Sequence, residues 1–359
     1  MLEAVLLVGG HGTRLRPLTI TTPKPMLRVA NATVTEHQIA RAAAAGVSRI
    51  ILGTSYKAEV FSAALGTGSS LGVELAYAVE DQPMGTGGAI RNASEHLGSG
   101  PDDPVLVFNG DVLTGVDIGA LLDAWQTSGA DVALYLTRVS DPRPYGLVPT
   151  TATGDVIAFL EKPERDEDIV TDQINAGLYV FRRSIIDEIA VGRPVSVERE
   201  TFPGLLNRGA KVIGVVDESY WIDLGNPLAF VTGSRDLVTG TAPSPLVTNP
   251  GTALIDPSAQ IHPDAVVGGG SAIGPNAIVE AGAVVDGSVL FAGATVRSQA
   301  RVVHSVIGER AVVGAATSLD GVAVGDAATI GAGVELTRGA RVWPNTVLPD
   351  GAVRYSSDV

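Results

Sequence analysis

The C-terminal third of the chain carries an apolar residue at every sixth position, a period that few folds accommodate. The series runs from Ile255 to Leu348 and shortens to steps of five at Leu290, Ile307 and Val324. Its members are Ile255, Ile261, Val267, Ile273, Val279, Val285, Leu290, Val296, Val302, Ile307, Val313, Leu319, Val324, Ile330, Leu336, Val342 and Leu348. A six-residue period fits neither an α-helix nor a hairpin, but it is typical of a β-helix whose short strands turn a corner after each repeat. With three strands per turn, the repeats predict roughly five stacked coils.

A stretch rich in proline, glycine and serine, "GTAPSPLVTNPG" at residues 240–251, precedes the repeats and reads as a linker. A chain of 359 residues also exceeds the usual size of one hydrophobic core. We therefore predict a first domain over residues 1–240, a linker over 241–251 and a β-helix domain over 252–353.

The first 240 residues alternate strand-like and helix-like patterns. Strands are predicted at Ala4–Val8, around "RIILG" and at Val73–Val79, Val105–Phe108 and Val132–Leu136; helices are predicted around Arg41–Ala45, Ala89–His96 and Ile118–Thr127. Strands separated by helices of this length indicate a parallel sheet covered on both faces. Ligands of such sheets bind beyond the carboxyl ends of the strands.

Composition excludes several classes of function. The chain has no cysteine, which removes disulfides, thiolate metal sites and a cysteine nucleophile. Its formal charge of −14 argues against a nucleic-acid partner, since such proteins present a basic face. No apolar run approaches the length that spans a membrane, and the N-terminal run is too short for a signal sequence. We expect a cytoplasmic protein.

A glycine-rich loop with nearby cations follows the first predicted strand, in "LLVGGHGTRLRPLTITTPKPML" at residues 6–27. It is neither a P-loop nor the dinucleotide fingerprint, because Leu15 stands where the latter needs a third glycine. A tight turn is one interpretation. However, Arg14, Arg16 and Lys24 follow, and backbone amides with fixed cations suit a polyphosphate. Only four of the 25 basic residues are lysine, and Lys24 and Lys162 both lie in motifs.

Acidic and amide side chains mark further candidates. Asp111 follows a predicted strand in "FNGD", and Asp223 lies in "YWIDLGNP". Carboxylates at strand ends near phosphates are natural magnesium ligands, although an Asx turn would also explain Asp111. "FLEKP" and "INAGLYVF" supply Glu161, Lys162 and Asn175, which could bind sugar hydroxyls and a phosphate or simply lie at the surface.

Taken in order, "GGHGTRLRPLT", "PKP", "PMGTGGA", "NGD", "YG", "EKP", "NAG" and "DLGNP" resemble the sugar-1-phosphate nucleotidylyltransferases, and among them the mannose-1-phosphate guanylyltransferases. The resemblance covers residues 1 to about 240. It implies an α/β fold with a Rossmann-like mixed sheet, followed by a left-handed parallel β-helix of hexapeptide repeats. It also implies GTP and mannose 1-phosphate as substrates, GDP-mannose and pyrophosphate as products, and Mg²⁺ as cofactor.

The resemblance also assigns roles to individual residues. Gly9, Gly10, Gly12 and Thr13 would wrap the nucleotide, with Arg14 and Lys24 on its phosphates, and Gln82, Pro83 and Gly85 would lie along the base. Asp111 and Asp223 would hold magnesium; Gly146, Glu161, Asn175 and Gly177 would contact the hexose, and Lys162 its phosphate. The catalytic groups would be Arg14, Lys24 and Lys162. One departure is "RVANATVTE" at residues 28–36, which lacks the Gly-Pro turn that the resemblance predicts.

Alternative functions stay open from the residues alone. The chain could be a thymidylyl- or other nucleotidylyltransferase acting on glucose 1-phosphate, or a non-catalytic regulatory relative, although the latter would be expected to lose the phosphate and metal motifs. The β-helix could instead house acyl-transfer or zinc chemistry through His262 and His304, but a zinc site of that kind needs three histidines. Because the motifs all precede Gly240, we expect the repeats to be dispensable for chemistry and to serve homo-oligomer assembly.

Overall fold

A computed structural model describes residues 1–55, 57–160, 162–163 and 165–353. The helices are α1 (Val34–Ala44), α2 (Ala58–Leu65), α3 (Gly85–Ala93), α4 (Ile118–Ser128), α5 (Arg183–Asp187), α6 (Phe202–Asn207) and α7 (Pro227–Thr239). The strands up to residue 223 are β1 (Leu2–Leu7), β2 (Arg28–Val29), β3 (Ala32–Thr33), β4 (Val47–Thr54), β5 (Glu74–Val79), β6 (Pro104–Asn109), β7 (Val112–Thr114), β8 (Val132–Arg138), β9 (Gln173–Arg182), β10 (Val212–Val216) and β11 (Trp221–Asp223).

Seventeen further strands form the β-helix. They are β12 (Ala253–Ile255), β13 (Gln260–Ile261), β14 (Val266–Gly268), β15 (Ser271–Ile273), β16 (Ile278–Val279), β17 (Val284–Asp286), β18 (Val289–Leu290), β19 (Thr295–Val296), β20 (Arg301–Val303), β21 (Val306–Ile307), β22 (Val312–Val313), β23 (Ser318–Asp320), β24 (Ala323–Val324), β25 (Thr329–Ile330), β26 (Glu335–Thr337), β27 (Arg341–Val342) and β28 (Val347–Leu348).

These elements form two compact units that do not coincide with a division at residue 240. The first unit contains Met1–Gly10 and Gln38–Trp221; the second contains His11–His37 and the described residues from Ile222 onward. The segment 11–37, which carries most of the cationic motif, thus belongs to the same unit as the β-helix. The linker and domain boundaries read from the sequence stay a prediction.

The first unit is built on a seven-stranded sheet in the order β10-β8-β9-β6-β1-β4-β5. The sheet is mixed because β9 runs antiparallel to both of its neighbours, whereas the other pairs are parallel. The purely parallel sheet indicated by the strand–helix alternation was therefore wrong at β9, and the mixed sheet implied by the resemblance is confirmed. Ala4 and Val5, which point to opposite faces of β1, are both fully buried, so both faces of this strand are covered.

In the second unit the β-helix strands form three parallel sheets, which confirms the predicted β-helix. Equivalent strands stack as β12-β15-β18-β21-β24-β27, as β13-β16-β19-β22-β25-β28 and as β14-β17-β20-β23-β26. Twelve of the predicted repeat positions line a continuous core: Ile273, Val279, Val285, Leu290, Val296, Val302, Ile307, Val313, Leu319, Val324, Ile330 and Val342. Ile255, at the first coil, is 42% exposed because no coil precedes it.

A ladder of buried serines, Ser271, Ser288 and Ser305, adds polar order to this core. The Oγ of Ser271 accepts from the amide of Ser288 at 3.1 Å, and the Oγ of Ser288 accepts from the amide of Ser305 at 3.0 Å. Each hydroxyl also donates to a carbonyl of the β-helix, so the buried polar groups are satisfied.

Candidate functional site

The glycine-rich loop begins in the first unit, where β1 ends. Val8 continues the backbone pairing by donating to the carbonyl of Gly53 at 3.0 Å. Gly10 follows with φ +112°, a conformation that side chains rarely adopt, and a Cβ built there would meet nothing within 4 Å. Backbone conformation, not crowding, therefore selects glycine at this position, and both Gly9 and Gly10 are exposed. Their amides are accessible to a ligand.

In the second unit, Gly12 brings the loop back onto Lys24. Gly12 has φ +56°, and a Cβ there would lie 2.9 Å from the Cβ of Lys24 and 3.1 Å from the Cγ2 of Thr19. The Thr19 hydroxyl donates to the Gly12 carbonyl at 2.8 Å, which fixes the turn. Thr13 then starts a short 3₁₀ turn that ends at Leu15. Gly12 and Thr19 thus hold the first turn of the motif against Lys24, which lies twelve residues after Gly12.

Two cations of the motif converge on Asp223. The Nζ of Lys24 lies 3.4 Å from Oδ1 of Asp223, and the Nη2 of Arg14 lies 3.8 Å from its Oδ2. The side chain of Lys24 is 10% exposed and that of Arg14 is 70% exposed. A Cβ at Gly225 would lie 3.0 Å from both the Arg14 guanidinium and the Asp223 carboxylate, so the glycine of "DLGNP" leaves room for this ion pair. The two cations assigned to the phosphates therefore lie on either side of one carboxylate, and charged groups of this kind bind phosphate through short hydrogen bonds.

Asp111 is positioned by a close backbone approach at the end of β6. The amide of Gly110 donates to the carbonyl of Leu7 at 2.8 Å, and a Cβ at Gly110 would lie 2.3 Å from that oxygen. Only glycine fits this contact between neighbouring strand ends. Asp111 follows directly and is half-buried.

The "NAG" motif is an irregularity in β9 opposite β8. The pairing register shifts between Leu134 and Leu136, where β9 passes through residues 175–179. Gly177 has φ +81°, and its amide donates to Oδ1 of Asn175 at 3.0 Å. A Cβ at Gly177 would lie 2.9 Å from the side-chain amide of Asn109. The irregularity therefore brings Asn175 and Gly177 to the strand end that precedes Asp111, as bulges near functional sites do.

Tyr179, which the motifs did not single out, ties this cluster together. The Nδ2 of Asn175 donates to its hydroxyl at 2.8 Å, and the Asn109 side chain also hydrogen bonds to it. Burial raises the pKa of Tyr179, and the negative charges of Glu198 and Asp111 raise it further. The phenol therefore stays protonated, and its O–H bond remains a donor.

The N-terminus of α3 carries "PMGTGGA" and packs against residues 195–201. The amides of Gly87 and Gly88 both donate to the carbonyl of Val195, at 2.8 and 3.3 Å. Gly85 has φ +70°, and its Cβ would lie 2.6 Å from the same oxygen. The Thr86 hydroxyl donates to Oε2 of Glu198 at 2.9 Å. Packing thus accounts for these glycines, and Glu198 is a residue of this region that sequence reasoning missed.

The segment before α3 presents exposed residues over a half-buried acid. Gln82 and Pro83 are exposed, as base contacts would need to be. Burial raises the pKa of Glu80, partly offset by the hydrogen bond that its carboxylate accepts from the Met84 amide at 3.4 Å.

The remaining predicted sugar contacts lie beside β9. The amide of Asn175 donates to the carbonyl of Gly146 at 3.4 Å, and a Cβ at Gly146 would lie 3.4 Å from the carbonyl of Leu160. Gly146 is therefore close to Asn175 and to the residue before Glu161, which itself lies outside the described residues. Lys162 is exposed.

An aromatic pair also borders the "NAG" irregularity. The Nε1 of Trp221 donates to the carbonyl of Ala176 at 3.0 Å, and the Trp221 ring meets Tyr145 edge-on with 5.4 Å between centroids. Tyr145 lies in the "YG" motif and Trp221 in "YWIDLGNP", but the sequence alone did not mark either as a site residue.

The part of the chain that the structure describes contains neither a metal-binding cluster nor a membrane-spanning helix. No group of three or more His, Asp or Glu side chains there is arranged to hold a metal ion by itself. No described helix has both the length and the apolar character needed to cross a membrane.

Comparisons with known proteins agree with these features. A family model described as Nucleotidyl transferase matches residues 3–240. The chain belongs to the nucleotidyl transferase family. A second model, described as GMPPB C-terminal domain, matches residues 249–358. The predicted family, fold class and enzyme class of this nucleotidyl transferase are confirmed.

Individual relatives extend the similarity over the whole chain. A protein of Mycobacterium tuberculosis named mannose-1-phosphate guanylyltransferase is 50% identical over 99% of this chain and 98% of its own length. A mannose-1-phosphate guanyltransferase of Debaryomyces hansenii is 37% identical over 96% of both chains. Among solved structures, HddC from Yersinia pseudotuberculosis complexed with GMP-PN is 26% identical, with a TM-score of 0.56 over 66% of this chain and 99% of that one.

Proposed function

We propose that the chain transfers the GMP group of GTP to mannose 1-phosphate, giving GDP-mannose and pyrophosphate. The observation that carries this proposal is the full-length similarity, at 50% identity, to a relative named mannose-1-phosphate guanylyltransferase. The resemblance of a solved neighbour that binds GMP-PN supports a guanine nucleotide.

The reaction proceeds by in-line displacement. A phosphate oxygen of mannose 1-phosphate attacks the α-phosphorus of GTP, and the bond to the bridging oxygen breaks as pyrophosphate leaves. The attacking phosphate is already anionic at neutral pH, so no general base is needed. Positioning and neutralisation of charge supply the rate enhancement.

The cationic residues carry distinct parts of this work in our proposal. Arg14 and Lys24 bind the nucleotide phosphates, and the amides of Gly9, Gly10, Gly12 and Thr13 hydrogen bond to the same groups. Lys24 is buried against Asp223 and acts as a fixed charge, whereas the Arg14 side chain is 70% exposed and would contact the departing pyrophosphate. Lys162 binds the phosphate of the sugar.

The neutral contacts set specificity. Gln82, Pro83 and Gly85 lie along the base. Gly146, Asn175 and Gly177 contact the hexose, together with Glu161. The support for the first three is that hydrogen bonds join Asn175 to both Gly146 and Gly177. The base and the hexose are thus recognised largely through backbone and amide groups, and the phosphates through cations.

Enzymes of this family generally use a divalent metal, and we propose Mg²⁺ held by Asp111 and Asp223. Their carboxylates offer the oxygen donors that Mg²⁺ prefers. A Mg²⁺ ion held by two carboxylates would complete its shell with phosphate oxygens and water. When bound, the ion would neutralise charge on the triphosphate.

The test is a matrix of nucleoside triphosphates against hexose 1-phosphates, with pyrophosphate release and product mass as readouts. GTP with mannose 1-phosphate should give the highest kcat/KM. A higher value for dTTP with glucose 1-phosphate would assign the chain to another branch of the family. No turnover with any pair would favour a regulatory relative. EDTA should abolish turnover, and added Mg²⁺ should restore it.

We also infer a cytoplasmic homo-oligomer, which sizing chromatography against the 36.8 kDa chain mass tests.

A further inference from the structure

The segment 11–37 is anchored to the β-helix at three separate coils. The first anchor is the hairpin between β2 and β3, where Ala30 and Asn31 form the turn with φ +46° and +64°. The Nδ2 of Asn31 donates to the carbonyl of Ile273 at 2.9 Å, and the amide of Ala30 donates to the Oγ of Ser234 in α7 at 3.0 Å. This hairpin occupies the place where the sequence departs from the family's Gly-Pro turn.

The second anchor is Asp326, at the corner after β24. The hydroxyl of Thr21 donates to its Oδ2. Its Oδ1 accepts from the backbone amide of Glu309, in the preceding coil, at 2.8 Å. Because that bond fixes the carboxylate on the β-helix, Thr21 hydrogen bonds to a rigid acceptor.

The third anchor is Arg341, the first residue of β27. Its Nη1 donates to the backbone carbonyl of Arg16 at 2.8 Å. Arg16 lies two residues after Arg14, and Thr21 lies three residues before Lys24. The two cations assigned to the triphosphate are therefore both within three residues of an anchor.

The anchors follow the order of one sheet in reverse. Asn31 meets β15, Thr21 meets the corner after β24, and Arg16 meets β27. In the order β12-β15-β18-β21-β24-β27, β15 and β27 are four strand spacings apart, roughly 19 Å. The segment thus runs along this sheet, attached near its ends at Asn31 and Arg16 and between them at Thr21.

We propose that the β-helix positions the phosphate-binding segment for catalysis, with Asp326 and Arg341 as positioning residues that act through Arg14 and Lys24. This inference rests on the proposed function for its catalytic consequence. It also reverses the expectation from the sequence that the repeats are dispensable for chemistry. A cationic loop fixed before the substrate arrives avoids the cost of ordering it during the reaction.

The test uses the full-length chain with Arg341→Ala and Asp326→Asn. The matched controls are Arg301→Ala, which truncates the side chain of the first residue of β20 in another sheet, and Asp350→Asn. Asp350 accepts from the amide of Ala332 at 2.7 Å, a cap of the same kind as that of Asp326. Arg341→Lys is the conservative variant, since its ammonium group can still donate to a carbonyl.

Two independent readouts are needed. Amide hydrogen exchange over residues 13–24 should accelerate about tenfold in both test variants and stay unchanged in both controls. The kcat for GDP-mannose formation should fall by roughly tenfold or more, with KM for mannose 1-phosphate changing by less than about twofold. Arg341→Lys should recover part of kcat. In an Arg14→Ala background, Arg341→Ala should lower kcat by a smaller factor than in the wild type, because the part of its effect that passes through Arg14 is already lost.

Unchanged exchange over residues 13–24 would overturn the inference, and so would faster exchange with an unchanged kcat. Should the unaltered chain fail to form GDP-mannose, the proposed function would fall separately, and exchange alone would decide whether the anchors hold the segment.

Discussion

The contact between Gly110 and Leu7 makes a sharp test of how Asp111 is positioned. In Gly110→Ala the added Cβ would lie 2.3 Å from the Leu7 carbonyl oxygen, whereas ordinary contacts begin at 3.4 Å. The backbone must therefore move by about 1.1 Å, since the Leu7 oxygen belongs to the backbone and cannot turn away as a side chain can. The movement falls on the residue directly before Asp111.

Two effects of different size follow. Overpacking of this kind destabilises a fold by about 1–3 kcal/mol, which leaves most domains folded. A misplacement of about 1 Å at a reacting centre can lower the rate roughly a hundredfold. We therefore expect kcat to collapse while the protein remains folded at 25 °C.

The assay measures pyrophosphate release under saturating GTP and mannose 1-phosphate, alongside urea unfolding. The control is Gly204→Ala in α6, where an added Cβ meets nothing within 4 Å. The control should keep wild-type kcat. A Gly110→Ala enzyme with kcat within about twofold of wild type would refute the reasoning. That result would show that the added methyl group is accommodated without displacing Asp111.

The other predictions concern charge and protonation. Asp111→Asn and Asp223→Asn should each abolish Mg²⁺-dependent turnover without unfolding, measured as rate against Mg²⁺ concentration; near-normal rates at low Mg²⁺ would exclude that residue from the metal site. Arg14→Ala should lower kcat about a hundredfold because charge builds on the leaving pyrophosphate, whereas Lys162→Ala should mainly raise KM for mannose 1-phosphate. Burial lowers the pKa of His37, so the unfolded state binds more protons than the folded state once the pH is near or below the ordinary histidine pKa of 6.5. The free energy of unfolding should therefore decrease as the pH falls, by at most about 1.4 kcal/mol per pH unit. Urea unfolding of wild type and His37→Gln at pH 5 and 7.5 checks this; equal pH slopes would contradict it.

The β-helix could be predicted to the residue because its core demands one apolar side chain at each repeat. Val279 and Val296 stack in adjacent strands, and any other spacing would place polar residues inside. The antiparallel β9 could not be predicted in the same way. β9 and its two neighbours, β6 and β8, are all largely buried, so their apolar residues carry no sign of strand direction.

The candidate site divides along similar lines. Gly12 was selected from the glycine-rich motif, and the structure shows that Lys24 and Thr19 approach it too closely for a side chain. Gly110 lies in the quoted "NGD" motif, but its contact with Leu7 was not predicted. Glu198 was not selected, since it lies in the charged run "VERET" that resembles a solvated surface. The attachment of segment 11–37 was also hidden, because two of its anchors use backbone carbonyls, at Arg16 and Ile273, which every residue possesses.

The length of the segment between Arg16 and Asn31 constrains how this chain can evolve. Open solenoids usually tolerate gain or loss of whole repeats, since each coil contacts only its neighbours. Here, deleting one coil between β15 and β27 would bring the two end anchors about 4.8 Å closer together, and inserting one would part them by as much. Neither change leaves the loop in register with its acceptors. In descendants of this chain, the number of coils between β15 and β27 and the length of the segment between Arg16 and Asn31 should therefore change together.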